Sequence, residues 1–376
     1  MIDHTRRRGR SKMRVTILGT GAIAGAHARA IADLPAHGVD ATLVHAVDID
    51  AARAEAFATE HGVPGHGTSL DDVLGDTDVL HVCTPPGVHA DVAVAALQAG
   101  VHVVVEKPAT LSLAELDRIA EAEVASMASF TQVVQHRFGH GARQLRRLLD
   151  DGALGRPLVA TCDTMWFRGP AYFEVPWRGR WDTEGGGPTM GHGIHQFDLL
   201  LATLGPWSEV TAMAGRLSRH VDTEDVSMAI VRFANGAMAT IANSLLSPRE
   251  TSDLRFDTEA ATIELSHLYG YTDADWTFTP AAGRDDVGQL WQADPEALPS
   301  GHLAQFVPTY RAFAAGEAPP VTVADTRGTL ELVAAIYRSS FTGAVVRAGE
   351  IAPGDPFHES MRGTGPSWPP LKATPA

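Results

Sequence analysis

A β-branched run, Val15–Leu18, breaks into Gly19-Thr20-Gly21-Ala22-Ile23-Ala24-Gly25 and passes at once into an alanine-rich helical stretch, Ala22–Leu34. Strand, glycine turn and helix in immediate succession leave few folds open. They place a helix N-terminus, with its unpaired N–H groups and positive dipole end, directly above a strand end. Gly19 suits the tight turn, Gly21 lets the backbone approach a ligand phosphate, and Ala24 is small enough for helix to pack on strand. The pattern then repeats. Leu43–Val47, Val79–Cys83 and Val101–Val105 read as strands, and Ala51–His61 and His89–Ala99 as helices. Ser112-Leu113-Ala114-Glu115 fits a capping box that opens a further helix to about Val124. Strict alternation implies a parallel sheet with right-handed crossovers, an α/β Rossmann domain over residues 13–135.

After about residue 145 the grammar changes. Leu158–Trp166, Glu209–Arg216, Val226–Phe233 and Ala237–Ser244 are strand-like, and Asn235-Gly236 between the last two is a two-residue hairpin signal. Leu254–Asp257 and Ala261–Leu265 read as another hairpin, and Arg327–Phe341 as a late helix. Successive hairpins predict an α+β domain over 136–376 with a largely antiparallel, open sheet. The tail from Pro353 is expected to run over the surface. The basic stretch within residues 1–12 lacks an apolar segment after it and reads as a disordered leader.

Composition closes off other classes. A net charge of −15, from 30 basic and 45 acidic side chains, gives neither a nucleic acid nor an anionic membrane a basic face to meet. No stretch approaches the roughly 20 apolar residues of a membrane span. Cys83 and Cys162 lie in apolar strand-like runs and read as free thiols of a cytoplasmic protein.

Chemistry gathers where strands end. Asp48 closes the second strand, 27 residues beyond Gly21, close to the spacing of an acid that accepts hydrogen bonds from an adenosine ribose. Its charge repels a 2′-phosphate, so NAD is preferred to NADP, with Arg53 nearby as the feature that favours NADP. Thr84-Pro85-Pro86-Gly87-Val88-His89 ends one strand and Glu106-Lys107-Pro108 the next. A lysine fixed between strand and proline is placed to donate to a substrate oxygen and stabilise developing alkoxide charge; a surface ion pair with Glu106 is the alternative. His192 and His195, three residues apart, also admit a metal-site reading with Asp198, but no His-Glu-x-x-His pattern or cysteine cluster supports one and no metal is expected.

These pieces resemble the Gfo/Idh/MocA oxidoreductases, named for glucose–fructose oxidoreductase and inositol dehydrogenase. The resemblance is carried by Gly19-Thr20-Gly21-Ala22-Ile23-Ala24, Asp48, Cys83-Thr84-Pro85-Pro86-Gly87-Val88-His89 and Glu106-Lys107-Pro108. It continues through Gln135-His136-Arg137-Phe138, Gly152-Ala153-Leu154-Gly155, Pro176-Trp177-Arg178, Gly185-Gly186-Gly187 and Gly193-Ile194-His195-Gln196-Phe197-Asp198, so it spans residues 13 to about 345. It implies a nicotinamide-dependent dehydrogenase or reductase acting on a sugar, inositol or related cyclic polyol, with its active site in a cleft between the two domains. Lys107 matches the family's active-site lysine and His195 its catalytic histidine. Gly19, Gly21, Ala22, Ile23, Asp48, Thr84, Pro85, His89, Glu106, Lys107, Gln135, Trp177 and Arg178 are assigned to the cofactor. Lys107, Arg137, Trp166, His192 and His195 are assigned to the substrate. The open sheet implies a homodimer or homotetramer. A tightly NAD-bound glycosidase or epimerase, or a dinucleotide-binding sensor, are the alternatives on the same fold. One position departs from the pattern: many members carry an aspartate four residues before the histidine, where this chain has Gly191. Trp166, Tyr172, Phe173, Trp177 and Trp181 crowd the approach to Gly185, and such faces suit sugar C–H surfaces or simple packing. His136 and His140 are read as chance.

Overall fold

A computed structural model of the chain describes residues 12–369. The basic leader, but for its last residue, lies outside them. Two compact units result. The first comprises the chain up to Thr110, Glu115–Val133 and His302–Thr326; the second comprises Leu111–Ala114, Val134–Gly301 and the chain from Arg327.

In the first unit, β1 (Met13–Leu18), β2 (Ala41–Val47), β3 (Gly65–Gly67), β4 (Val79–Val82), β5 (His102–Val105) and β6 (Phe130–Gln132) form one sheet in the order β3-β2-β1-β4-β5-β6. Every neighbouring pair is parallel. Helices α1 (Ala24–Asp33), α2 (Ala51–His61), α3 (His89–Gln98) and α4 (Leu113–Val124) are the crossovers. The order reverses between β1 and β4, and ligands of open α/β sheets bind at such a switch point, beyond the carboxyl ends of the strands. Val103, Val104 and Val105 are buried, as a strand covered on both faces requires.

The domain boundaries differ from the sequence expectation, which ran the second unit unbroken to the end. The helix His302–Ala315 returns to the first unit, where Phe306, Val307, Tyr310 and Phe313 join Val15, Ile17, Ala28, Ile31 and Leu34 in one core. Each such aromatic contributes roughly 1.5–3 kcal/mol by leaving water. That gain holds the segment on α1 despite the 168 residues of chain that separate it from Val133.

In the second unit the strands are β7 (Pro157–Phe167), β8 (Trp207–Gly215), β9 (Val226–Phe233), β10 (Met238–Ser244), β11 (Leu246–Thr258), β12 (Ala261–His267), β13 (Trp276–Pro280) and β14 (Val346–Arg347). They order as β13-β12-β11-β7-β10-β9-β8-β14, antiparallel except where β7 meets β10. Gly236, at φ +92°, makes the β9–β10 turn that Asn235-Gly236 announces. Alternation gives the sheet two characters. On β9, Ser227, Ala229, Val231 and Phe233 are buried, while Met228 and Ile230 are exposed. The buried side receives the helix Ile194–Leu204. The other side is an apolar depression of about 630 Å³ floored by Thr211, Met213, Met228, Ile230, Thr240 and Ala242.

The late helix runs Val323–Thr342, earlier than its expected start, because Thr322 and Asp325 exchange hydrogen bonds that cap it. The tail, expected on the surface, is anchored: Phe357 and Met361 are buried, and Trp368 Nε1 donates to the Asp222 carbonyl at 2.9 Å.

Candidate active site

The glycine turn has the geometry its residues imply. Gly19 sits at φ +87°, and a Cβ there would lie 2.8 Å from both the Cys83 carbonyl carbon and the Thr84 nitrogen. Only glycine lets the end of β1 press against the end of β4. A Cβ on Gly21 would meet only the Arg53 guanidinium, at 3.7 Å, so a phosphate can approach that backbone. Ala22 and Ile23 carry the chain into α1 with no side-chain cap on its first N–H groups. Thr84 Oγ1 is buried without a hydrogen bond among the described residues, beside Pro85 in the loop leaving β4. These features fit the diphosphate and nicotinamide portions of a dinucleotide.

Asp48 is buried, and its carboxylate is held rather than free. Oδ2 accepts from Thr20 N at 2.8 Å and Thr20 Oγ1 at 2.9 Å, and Oδ1 accepts from Asp50 N at 3.0 Å. Burial raises its pKa, but the bonds from Thr20 and Asp50 and the charge of Arg53 outweigh it, so the carboxyl ionises below its ordinary range. Asp48 does not cap α2; Asp50 does, accepting from Ala52 N and Arg53 N. Arg53 Nη2 stands 3.5 Å from Asp48 Oδ2, its side chain 55% exposed.

Lys107 follows β5, half-buried, and joins Pro108 through a cis peptide. Two residues that the sequence assigns to the cofactor are engaged with protein groups instead. His89 is fully buried, with Nδ1 2.9 Å from the Pro108 carbonyl oxygen and Nε2 2.8 Å from that of Thr84. It braces the two strand-end loops rather than offering a nitrogen to a ligand. The Glu106 carboxylate accepts from Lys107 N at 3.1 Å through Oε2; through Oε1 it accepts from His27 Nε2 at 2.9 Å and His302 Nε2 at 3.2 Å. A relay stands behind it: Tyr310 OH donates to His81 Nε2, and His81 Nδ1 to His27 Nδ1, each at 2.7 Å. Burial holds His27 and His81 below the ordinary imidazole pKa. Burial also opposes ionisation of Glu106, but the two histidine bonds prevail and keep its pKa well below the carboxylate range. His27, Glu106 and His302 form the one trio of ligating atoms within metal-binding reach among the described residues, and hydrogen bonds account for all three side chains.

In the second unit, Gly193 leads into the helix that carries His195, which is buried. His136 stacks on it at 4.8 Å between ring centroids, and Tyr269 meets it edge-on at 5.7 Å. Gln135 Nε2 donates to the Tyr269 hydroxyl at 3.1 Å. His192 lies edge-on to Trp166 at 5.1 Å, and Trp166 Nε1 donates to Ser252 Oγ at 3.0 Å. The Arg178 guanidinium covers the Tyr172 ring at 3.7 Å and the Trp177 ring at 5.0 Å. Arg137, assigned by sequence to the substrate, forms a two-pronged ion pair with Asp198, with Nε–Oδ2 at 2.7 Å. It therefore locks the His195 helix to the Gln135–Phe138 turn, and Asp198 is fixed rather than reactive. Trp181 is core, packed on Tyr337 and Phe341. A Cβ on Gly191 would meet only Glu184 Oε1, at 3.8 Å, so a carboxylate from the short helix Trp181–Glu184 lies beside the departing position. Sequence reasoning missed His136, His267 and Tyr269; the last two lie far along the chain and carry no motif.

Comparison with known proteins identifies the family. Residues 13–131 match the oxidoreductase family with an NAD-binding Rossmann fold, and residues 142–264 match the GFO/IDH/MocA C-terminal domain. Myo-inositol 2-dehydrogenase of Thermotoga maritima is 28% identical over 62% of this chain and 68% of its own. The 1,5-anhydro-D-fructose reductase of Ensifer adhaerens is 27% identical over 83% of this chain and 92% of its own. The solved WlbA dehydrogenase from Bordetella pertussis, in complex with NADH and UDP-GlcNAcA, superposes with TM-score 0.79 at 26% identity, covering 90% of this chain and 100% of that one.

Proposed function

The chain belongs to the Gfo/Idh/MocA oxidoreductases, and from that premise we propose that it transfers hydride between NAD and a secondary alcohol or ketone of a sugar, inositol or related cyclic polyol. The observation that carries the cofactor half is the Asp48 carboxylate, fixed beside the Gly19–Gly21 turn where a ribose would lie. The nicotinamide, when bound, exchanges hydride with the carbinol carbon. His195 takes the hydroxyl proton, a role suited to an imidazole near neutral pH. Lys107 holds the same oxygen and stabilises its developing charge. Trp166 and His192 line the substrate, with the Trp166 face against sugar C–H groups, and Trp177 and Arg178 meet the cofactor. Relatives named for myo-inositol and 1,5-anhydro-D-fructose support the substrate class.

The two free, buried cysteines support a reducing, cytoplasmic setting, and no described helix is long and apolar enough to cross a membrane. The open sheet face, with Met213 79% and Ile230 56% exposed, supports pairing with a second copy as a dimer or tetramer. The test is to incubate the protein with NAD or NADP and a panel of sugars and inositols while following reduced-cofactor absorbance. Reduction of NAD by a polyol is expected. Dinucleotide that stays bound and unreduced with every substrate favours a sensor or an enzyme that recycles its cofactor, and failure to bind either dinucleotide overturns the proposal.

A further inference from the structure

His195 is one of three imidazoles in a buried cluster whose nitrogens are not equivalent. Gln196 Nε2 lies 3.3 Å from His136 Nδ1 and 3.3 Å from His267 Nε2. An amide nitrogen carries two hydrogens and accepts nothing, so in this orientation of the Gln196 amide it donates to His136 Nδ1 and to His267 Nε2. An imidazole that accepts is uncharged, with its proton on the other nitrogen: Nε2 in His136, Nδ1 in His267. Gln196 and His136 are each 1% exposed, so water does not compete for these bonds. His136 is the ring that stacks on His195, tilted by only 28°, and His267 stands edge-on to His136 at 5.1 Å.

Most charged groups on the neighbouring elements have partners of their own. Asp198, on the helix of His195, pairs with Arg137, and His140 pairs with Asp273. On α5 (His140–Asp150), Arg146 pairs with Asp150. Asp163 of β7 and Asp253 of β11 act on each other. His192 stands against Trp166. Burial depresses the His267 pKa to about 4, and Asp275 and Asp253 only partly offset it.

We infer that Gln196 is a positioning residue: its amide keeps His136 and His267 uncharged, so the proton leaving the substrate hydroxyl has His195 as its sole acceptor in the cluster. The inference rests on the proposed role of His195. The arrangement matters because a cation stacked at this distance would oppose protonation of His195, by Coulomb repulsion in a poorly screened site.

The test is a pH titration of nitrogen-labelled histidines by nuclear magnetic resonance in the full chain, with His136→Phe and His267→Phe spectra for assignment. His136 is expected as the Nε2–H tautomer and His267 as the Nδ1–H tautomer, both uncharged at neutral pH. A proton taken up by either ring together with or before His195 overturns the inference. This readout needs no substrate, so a chain that oxidises no polyol would defeat the functional proposal while leaving the tautomers decided. Gln196→Glu supplies the second arm, since a carboxylate only accepts. Both rings should invert their tautomers, and the single-proton acid limb of kcat/KM should steepen into a two-proton fall as a second ring charges. Unchanged tautomers in a folded Gln196→Glu protein would also overturn it, and if that variant fails to fold, the wild-type titration decides alone.

Discussion

Replacing Asp48 with serine should reverse the cofactor preference, and the structure sets the size of the change. A carboxylate has about four acceptor positions. Oδ2 accepts twice from Thr20 and Oδ1 once from Asp50, which leaves one position on Oδ1 for a ribose hydroxyl. A hydrogen bond to a charged acceptor is worth about 1.5–3 kcal/mol, so losing it should weaken NAD by roughly 10- to 150-fold. The same change removes a negative charge from the path of a 2′-phosphate, where one pair of like charges at about 4 Å costs on the order of 4 kcal/mol near a protein surface. It also releases the Arg53 guanidinium, now 3.5 Å from Asp48 Oδ2, to face that phosphate. The ratio of NAD to NADP affinity should therefore fall by at least about 100-fold. Calorimetric titration of both dinucleotides against wild type and variant measures the ratio, which is insensitive to any general loosening when Thr20 and Asp50 lose their acceptor. Parallel changes in the two affinities, with the ratio intact, would refute the reasoning.

Other outcomes follow from the same geometry. His195→Ala and Lys107→Ala should each lower kcat by about 10²- to 10⁴-fold while NAD dissociation constants stay within about three-fold; steady-state kinetics with fluorescence titration of the dinucleotide checks both. Acidification should destabilise the fold from about pH 6.5 downward. His27, His81, His89 and His267 all have depressed folded pKa values, so the unfolded chain binds protons the folded one refuses. Each ring forfeits about 1.4 kcal/mol per pH unit until its folded pKa is reached, and loss of the depressed Glu106 adds to this below about pH 4.3. The stability from urea unfolding should be lower at pH 5.5 than at pH 7.5 by up to about 5 kcal/mol, and equal midpoints would contradict the buried neutral rings. Gly191→Ala should stabilise by about 0.4–1 kcal/mol, since its Cβ finds ordinary contact distance and no positive φ is needed; a lowered melting temperature would show hidden crowding.

Local signals in the sequence were faithful wherever chemistry and chain proximity coincide. The Gly19–Gly21 turn, the Asn235-Gly236 hairpin and the β-strand runs each depend on residues a few positions apart, so their physics can be read along the chain. The placement of Asp48 was legible because it depends on the end of one strand. What escaped depends on distant partners. Arg137 looks like a free cation until Asp198, 61 residues away, closes on it. Glu106 looks like a site carboxylate until His302 arrives on a helix containing Pro308, 196 residues later. His136 reads as incidental among 17 histidines because Gln196 and His267, which give it meaning, belong to other elements. The helix His302–Ala315 shows the same limit: its apolar face was detectable in principle, but which core receives it is a property of the folded chain.

Deuterium placed on the carbinol carbon of a polyol that the protein oxidises tests the central claim most directly. After turnover, mass spectrometry of the nicotinamide should find the label at ring carbon C4, and its rate of transfer should fall by about 10²- to 10⁴-fold in His195→Ala and Lys107→Ala. Label that appears in solvent, or product that forms without labelled cofactor, would contradict direct hydride transfer to a dinucleotide held above β1.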